Sequence, residues 1–362
     1  MHEPLGLPLG RPTARVGHVR SLPILCGLLV LVTSCATAGT SAPRPVDVEA
    51  HRGGLGLTVE STLPAFARAL ELGVTTLEMD VAITADGRDV ITHDHRTDPR
   101  RCRDTAPAAP GDPLFPYVGR LVKDLTFAQV RTLDCGSQQR EGWPDQQLAP
   151  GAGMPTLADV ADLTRRYGAE DVRFNVETKV EAAAPAETAP REVFVRRVVD
   201  EVRRAGIAGR TSIQSFDWGA LTLVRTLAPE LPRIALTEPD FLEVGRPGAS
   251  PWLGGLDIDA FGGDVVRAAA SRGFSALSPL HGEPQDAVVT APGYRPFTTR
   301  ALVDGAHAVG MPVIVWTVDD EPSMNAMLDA GVDGIITDRP DRLRAVLAAR
   351  GLPLPPAHPA HR

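Results

Sequence analysis

The chain has 362 residues, 43% of them hydrophobic and 23% charged, with 34 Gly and 33 Pro. This composition excludes a wholly disordered or fibrous chain and allows one large domain or two to three small ones, with a core that needs no metal staple. The net charge of −8 argues against a nucleic-acid-binding surface, because counterion release from phosphates needs clustered cations; no nucleic-acid partner is expected.

Residues 1–35 read as an export signal. Arg11, Arg15 and Arg20 precede the apolar run 22–32, which is too short to span a hydrocarbon core of roughly 30 Å. The run ends in Val32-Thr33-Ser34-Cys35, which resembles the lipobox of bacterial lipoproteins. Lipidation of Cys35 would tether the chain to a membrane, whereas ordinary cleavage near Ala36-Thr37-Ala38 would release it. Both routes lead out of the cytosol, to a cell-envelope lipoprotein or a secreted protein. Residues 36–47, rich in Ala, Thr, Ser and Pro, read as a flexible stalk. Beyond the signal the remaining cysteines are Cys102 and Cys135, an even pair that an oxidising compartment would bridge; two buried free thiols are the alternative.

From residue 48 onward short β-branched or apolar runs alternate with helical patterns. The predicted strands are 48–51, 76–81, 172–178, 211–216, 233–237, 275–278, 313–318 and 334–337. Eight strands with intervening helices over 48–347 suit an α/β fold, a TIM-type (β/α)8 barrel, better than an open sheet. The run 90–93 is excluded from this count. It follows the second strand across Ala85-Asp86-Gly87-Arg88, and so short a turn joins antiparallel strands. Thr62 is placed to cap a helix that has Pro64 in its first turn, Leu63, Phe66 and Leu70 on one face and Gly73 at its end. Residues 95–150 break the alternation and read as an insertion after the second strand, lying over the barrel mouth. The tail 348–362 is expected to be disordered.

The strand period of two places Glu78 and Asp80 on one side of the second strand, and Glu177 and Lys179 repeat the spacing late in the third. Carboxylates gathered at the C-terminal mouth of a barrel repel one another unless a cation sits among them. All-oxygen donors favour a hard divalent ion, and an extracellular setting favours Ca2+ over Mg2+. The alternative is a salt-bridge network such as Glu177 with Lys179. His51 and His93 end the first strand and the hairpin, so two imidazoles reach the same mouth and can act as acid and base. Arg52 offers a planar fork for a phosphate oxygen, or a rim salt bridge. His95, His281 and His307 lack such a setting and read as surface or loop residues.

In chain order, Ala50-His51-Arg52-Gly53, Glu60-Ser61-Thr62-Leu63-Pro64-Ala65-Phe66, Leu77-Glu78-Met79-Asp80-Val81, Asp86-Gly87 to His93-Asp94, Val176-Glu177-Thr178-Lys179, Gln214-Ser215-Phe216-Asp217, Val315-Trp316-Thr317-Val318 and the segment Gly331 to Pro340 resemble the glycerophosphodiester phosphodiesterase family. The resemblance implies a TIM barrel, one divalent cation on Glu78, Asp80 and Glu177, and His51 and His93 as the acid–base pair. It also implies phosphate binding by Arg52 and Lys179, Trp316 on the floor of the substrate pocket, and Glu60 in a supporting role. Ser61 departs from the pattern, standing where the family usually has Asn.

The expected activity is metal-dependent hydrolysis of a small-molecule glycerophosphodiester to sn-glycerol 3-phosphate and an alcohol. The rivals are a lysophospholipase D or phospholipase C-like lipid phosphodiesterase, and a non-catalytic lipoprotein that binds phosphodiesters.

Overall fold

The computed structural model describes residues 44–360. The export signal, Cys35 and the stalk up to residue 43 lie outside the described residues. Eight parallel strands form the barrel: β1 Asp47–Ala50, β2 Thr76–Ile83, β3 Arg173–Thr178, β4 Thr211–Ser215, β5 Arg233–Thr237, β6 Ala276–Pro279, β7 Ile314–Val315 and β8 Gly334–Thr337. They run in the order β7-β8-β1-β2-β3-β4-β5-β6. Parallel bridges Leu277–Val313 and Leu280–Trp316 link the two ends and close the cylinder. Each strand leads to a helix: α1 Leu63–Leu72, α2 Leu157–Arg166, α3 Arg191–Arg204, α4 Trp218–Leu227, α5 Val265–Ser271, α6 Arg300–Ala308, α7 Glu321–Ala330 and α8 Pro340–Ala349. All eight predicted strands are present, and residues 89–91 pair antiparallel with β2, Val81 opposite Ile91. The barrel begins slightly earlier than expected. Val46 is buried and Asp47 accepts a hydrogen bond from Thr76 Oγ1 at 2.8 Å.

Alternation along the strands sorts the side chains into two layers. Val48, Ala50, Leu77, Met79, Val81, Phe174, Val176, Ile213, Ala235, Leu277, Val315 and Ile335 face outward into the main core with the helices. The interior is divided. On β5 to β8 it is apolar, a cluster of Ile234, Leu236, Ala276, Ile314, Trp316 and Ile336. On β1 to β4 it holds the buried polar residues Glu49, Glu78, Asp80, Asn175, Glu177 and Gln214. The site is built on that polar half.

Thr62 caps α1 through the backbone N–H of Ala65, and Gly73 ends the helix at φ +93°. The insertion has its own small core of Cys102, Tyr117, Val122, Leu125, Val130, Leu133 and Cys135, seated against Ala82 and Val90 of the hairpin. Cys102 and Cys135 form the disulfide. The far limb of the insertion returns to the barrel, where Gln146 Nε2 donates to Leu55 O at 2.6 Å and Gln147 bridges Thr58. The tail, expected to be disordered, instead lies against the barrel. Arg344 donates to Pro355 O at 2.7 Å, and the backbone N–H of His358 donates to Leu70 O at 2.9 Å. A chain rich in proline keeps its carbonyls free to accept, and Arg344 ties Pro355 O to Gly73 O.

Replacing both Cys102 and Cys135 with Ala opens a loop of sequence separation 33 and is expected to cost about 3–4 kcal/mol in the chain-entropy model. Denaturant unfolding with and without the pair measures it.

Candidate active site

The segment after β1 turns sharply, with Arg52 at φ +53°, Gly53 at +85° and Gly54 at +89°. A Cβ on Gly53 would come within 2.9 Å of Ala65, so only glycine lets this turn pack on α1. The turn aims the Arg52 backbone N–H at Glu78 Oε2, 2.9 Å away. It also lays His51 beside the end of β8, where its Nδ1 donates to Asp338 Oδ1 at 2.6 Å. Nδ1 is thereby committed, and Nε2 is the nitrogen available to a ligand.

Glu78 and Asp80 project inward from β2, and the β2–β3 register sets Asp80 directly opposite Glu177. Their ligand oxygens all lie within 4.8 Å of one another, and all three residues are buried. Both oxygens of Asp80 are buried without a hydrogen-bond partner. Burial and the Asp80 charge push Glu78 well above the usual carboxylate range. Burial, opposed by Lys179 and reinforced by Asp80, pushes Glu177 up to about 7. Asp80 is also raised by burial, but His93, Lys179 and Arg52 together hold it below the ordinary range. Three convergent hard oxygen donors, one of them orphaned, fit a divalent cation.

Lys179 Nζ stands 3.1 Å from Glu177 and 3.8 Å from Asp80. The expected salt bridge and the expected carboxylate cluster are therefore parts of one site. Arg52 is buried and held by two carboxylates, with Nη1 donating to Glu60 Oε2 at 2.7 Å and Nε 3.4 Å from Asp80. Glu60 takes a second ion pair from Arg140 of the insertion. Burial raises its carboxyl, but Arg52, Arg101 and Arg140 outweigh this and bring it down to about 2. Ser61 has φ +56°, a left-handed position where Asn is more at ease than Ser, which accounts for the residue usual in the family pattern.

His93 lies across the mouth, its Nδ1 donating to Asp94 Oδ1 at 2.9 Å. Burial, Arg52 and Lys179 hold its imidazole well below the usual range. His51, Arg52, Glu78, His93, Glu177, Lys179 and Trp316 all line one cavity of about 440 Å³. Trp316 Nε1 donates to Ser278 O at 2.8 Å, which fixes the indole edge-on to Phe216 with ring centroids 5.3 Å apart. Phe241 and Trp252 extend this wall as a stacked pair.

Sequence reasoning assigned no role to Asp338, Gln214 or Arg140. The first two stand inside the quoted motif blocks, which was the available signal; Arg140 had none. Of the three histidines expected at the surface or in loops, His95 and His281 lie in loops but turn inward. His95 lines the cavity, and His281 is buried, with Nε2 donating to Gln285 O at 2.7 Å. His307 is half-buried and pairs with Asp333.

A closed (βα)8 barrel carrying carboxylates, a lysine and two imidazoles around one mouth defines a metal-dependent enzyme of phosphoryl chemistry. The chain belongs to the glycerophosphoryl diester phosphodiesterase family, whose model matches residues 51–342. It is 28% identical over 297 residues to a glycerophosphodiester phosphodiesterase of Caldanaerobacter subterraneus subsp. tengcongensis, covering 82% of this chain and 95% of that one. A Silicibacter pomeroyi protein of known structure, provisionally named glycerophosphoryl diester phosphodiesterase, superposes with a TM-score of 0.68 at 31% identity, over 86% of this chain and 96% of the other. The Oleispira antarctica phosphodiesterase, solved with its product sn-glycerol-3-phosphate, shares the fold at 19% identity, with a TM-score of 0.59 over 84% of this chain and 97% of that one.

Asp338→Asn replaces the carboxylate that fixes His51 with a neutral amide able to present NH2 as well as C=O to Nδ1. Turnover of a phosphodiester substrate is expected to fall by about 10-fold or more with KM little changed, as steady-state kinetics would report.

Proposed function

We propose that this protein hydrolyses glycerophosphodiesters to sn-glycerol 3-phosphate and an alcohol, using a divalent cation on Glu78, Asp80 and Glu177. The observation that carries this reading is that Glu78, Glu177, Lys179, His51 and His93 line one cavity, with Asp80 clustered beside Glu78 and Glu177, in a chain of this family. The oxygen-only donor set favours a hard ion over zinc, and an exported setting favours calcium over magnesium. When bound, the cation supplies charge neutralisation to the phosphodiester.

Lys179 and Arg52 add fixed positive charge beside the phosphate, Arg52 from a guanidinium already oriented by Glu60. His93, neutral at pH 7, takes the proton from the nucleophile, which is either water or the neighbouring glycerol hydroxyl; the second route forms a cyclic phosphate that water then opens to the monoester. His51, whose Nδ1 is held by Asp338, gives a proton to the departing alkoxide from Nε2. The P–O bond to the alcohol breaks as the new P–O bond forms, and the phosphate monoester stays with glycerol. Trp316 closes the floor of the pocket against water.

One feature favours the lipid-cleaving alternative. Phe216, Phe241, Trp252 and Leu236 give the cavity an apolar wall on which an acyl chain could lie. Glycerophosphocholine and lysophosphatidylcholine, compared in one assay, separate the two; a higher kcat/KM on the lysolipid would transfer the assignment to it.

His51→Ala and His93→Ala are each expected to lower kcat by about 10²–10⁴ with the fold intact by circular dichroism. Chelation is expected to abolish activity and added Ca2+ to restore it; wild-type rates in either variant would remove that residue's role. We also propose export with lipidation at Cys35, followed by a stalk that ends before the barrel begins at Val46. Cys35→Ser is expected to move the protein from the membrane fraction to the soluble one, and an unchanged distribution would contradict the anchor.

A further inference from the structure

A chain of side-chain hydrogen bonds runs up the polar half of the barrel interior and ends on Glu78. At its foot on β1 is Glu49. Asn175 Nδ2 on β3 donates to Glu49 Oε2 at 2.8 Å and to Gln214 Oε1 on β4 at 2.9 Å. Gln214 Nε2 then donates to Glu78 Oε1 at 2.8 Å. All four residues are at most 1% exposed, so no solvent competes for these bonds. The strand registers enforce the arrangement, with Glu78 opposite Asn175 and Gln214 opposite Glu177.

The chain has a fixed direction. Asn175 spends its amide hydrogens on two acceptors, and its own Oδ1 accepts from Ser212 Oγ at 3.3 Å. An inverted Gln214 would set its NH2 against that of Asn175 and its carbonyl against the Glu78 carboxylate, two unfavourable contacts in a buried setting. Glu49 therefore dictates Asn175, Asn175 dictates Gln214, and Gln214 presents a donor to Glu78. With the Arg52 N–H on the other oxygen, Glu78 is pinned at both ends while it faces two other acidic groups that repel it.

We propose that Gln214, oriented by Asn175 and Glu49, is a positioning residue for the cation site, holding the Glu78 carboxylate in the rotamer that converges with Asp80 and Glu177. The inference rests on the cation reading above and adds a residue to it. Outer partners of metal ligands contribute about 10–100-fold in affinity.

The test is calorimetric titration of the intact protein with Ca2+ and with Mn2+, without substrate, alongside kinetics at saturating cation. Gln214→Met keeps the length and removes the donor. It is expected to weaken the cation Kd by about 10–100-fold while most of kcat returns at saturating cation. Asn175→Asp, nearly isosteric, releases the Gln214 amide to invert and is expected to act in the same direction; it carries the test if Gln214→Met does not fold. A folded Gln214→Met that binds cation with the wild-type Kd overturns the proposal, as does a wild-type Kd in Asn175→Asp when only that variant folds. Wild-type protein that binds no divalent ion overturns the cation site itself, and the positioning role with it.

Discussion

Mutual repulsion among three buried carboxylates is the constraint to which the rest of this molecule answers. With oxygens within 4.8 Å, each ionised pair costs about 3 kcal/mol or more at an effective dielectric near 20. The protein offsets this with fixed charge on every side: Lys179 between Glu177 and Asp80, Arg52 on Asp80, and donors on both oxygens of Glu78. The offset is incomplete. Glu177 stays up near 7 and the Asp80 oxygens, though flanked by cations, accept no hydrogen bond, which is the condition of a site that a doubly charged ion completes.

That requirement explains how the barrel is divided. An apolar interior on β5 to β8 supplies packing and a hydrophobic floor, while the polar interior on β1 to β4 spends burial on hydrogen bonds that hold charged groups apart or together. Such groups are tolerated in a core only when their partners are complete, and Glu49, Asn175 and Gln214 are the partners. The insertion takes part as well. Arg140 reaches back to Glu60, which fixes Arg52, so a segment outside the barrel helps to hold a charge inside it.

Local periodicity made much of this legible. Alternation of two set Glu78, Asp80 and Glu177 inward, and the Asp-Gly turn made residues 89–91 a hairpin rather than a barrel strand. Thr62, Pro64 and Gly73 bounded α1. Contacts between distant segments were not legible, because neither spacing nor propensity records which strands become neighbours. Asp338 meets His51 across 287 residues, and Gln214 meets Glu78 across 136. Arg52 read as a fork for phosphate or a rim salt bridge, and the sequence does not show that Glu60 and Asp80 hold it in the interior. The tail looked disordered from its composition, although Arg344 gives Pro355 O a place to dock.

The most direct measurement of the central claim is anomalous scattering from crystals soaked in Mn2+. The account predicts one strong peak at the barrel mouth, about 2.0–2.6 Å from oxygens of Glu78, Asp80 and Glu177 together. No peak there, or a peak coordinated by other residues while these three remain paired with Lys179 and Arg52, would contradict it.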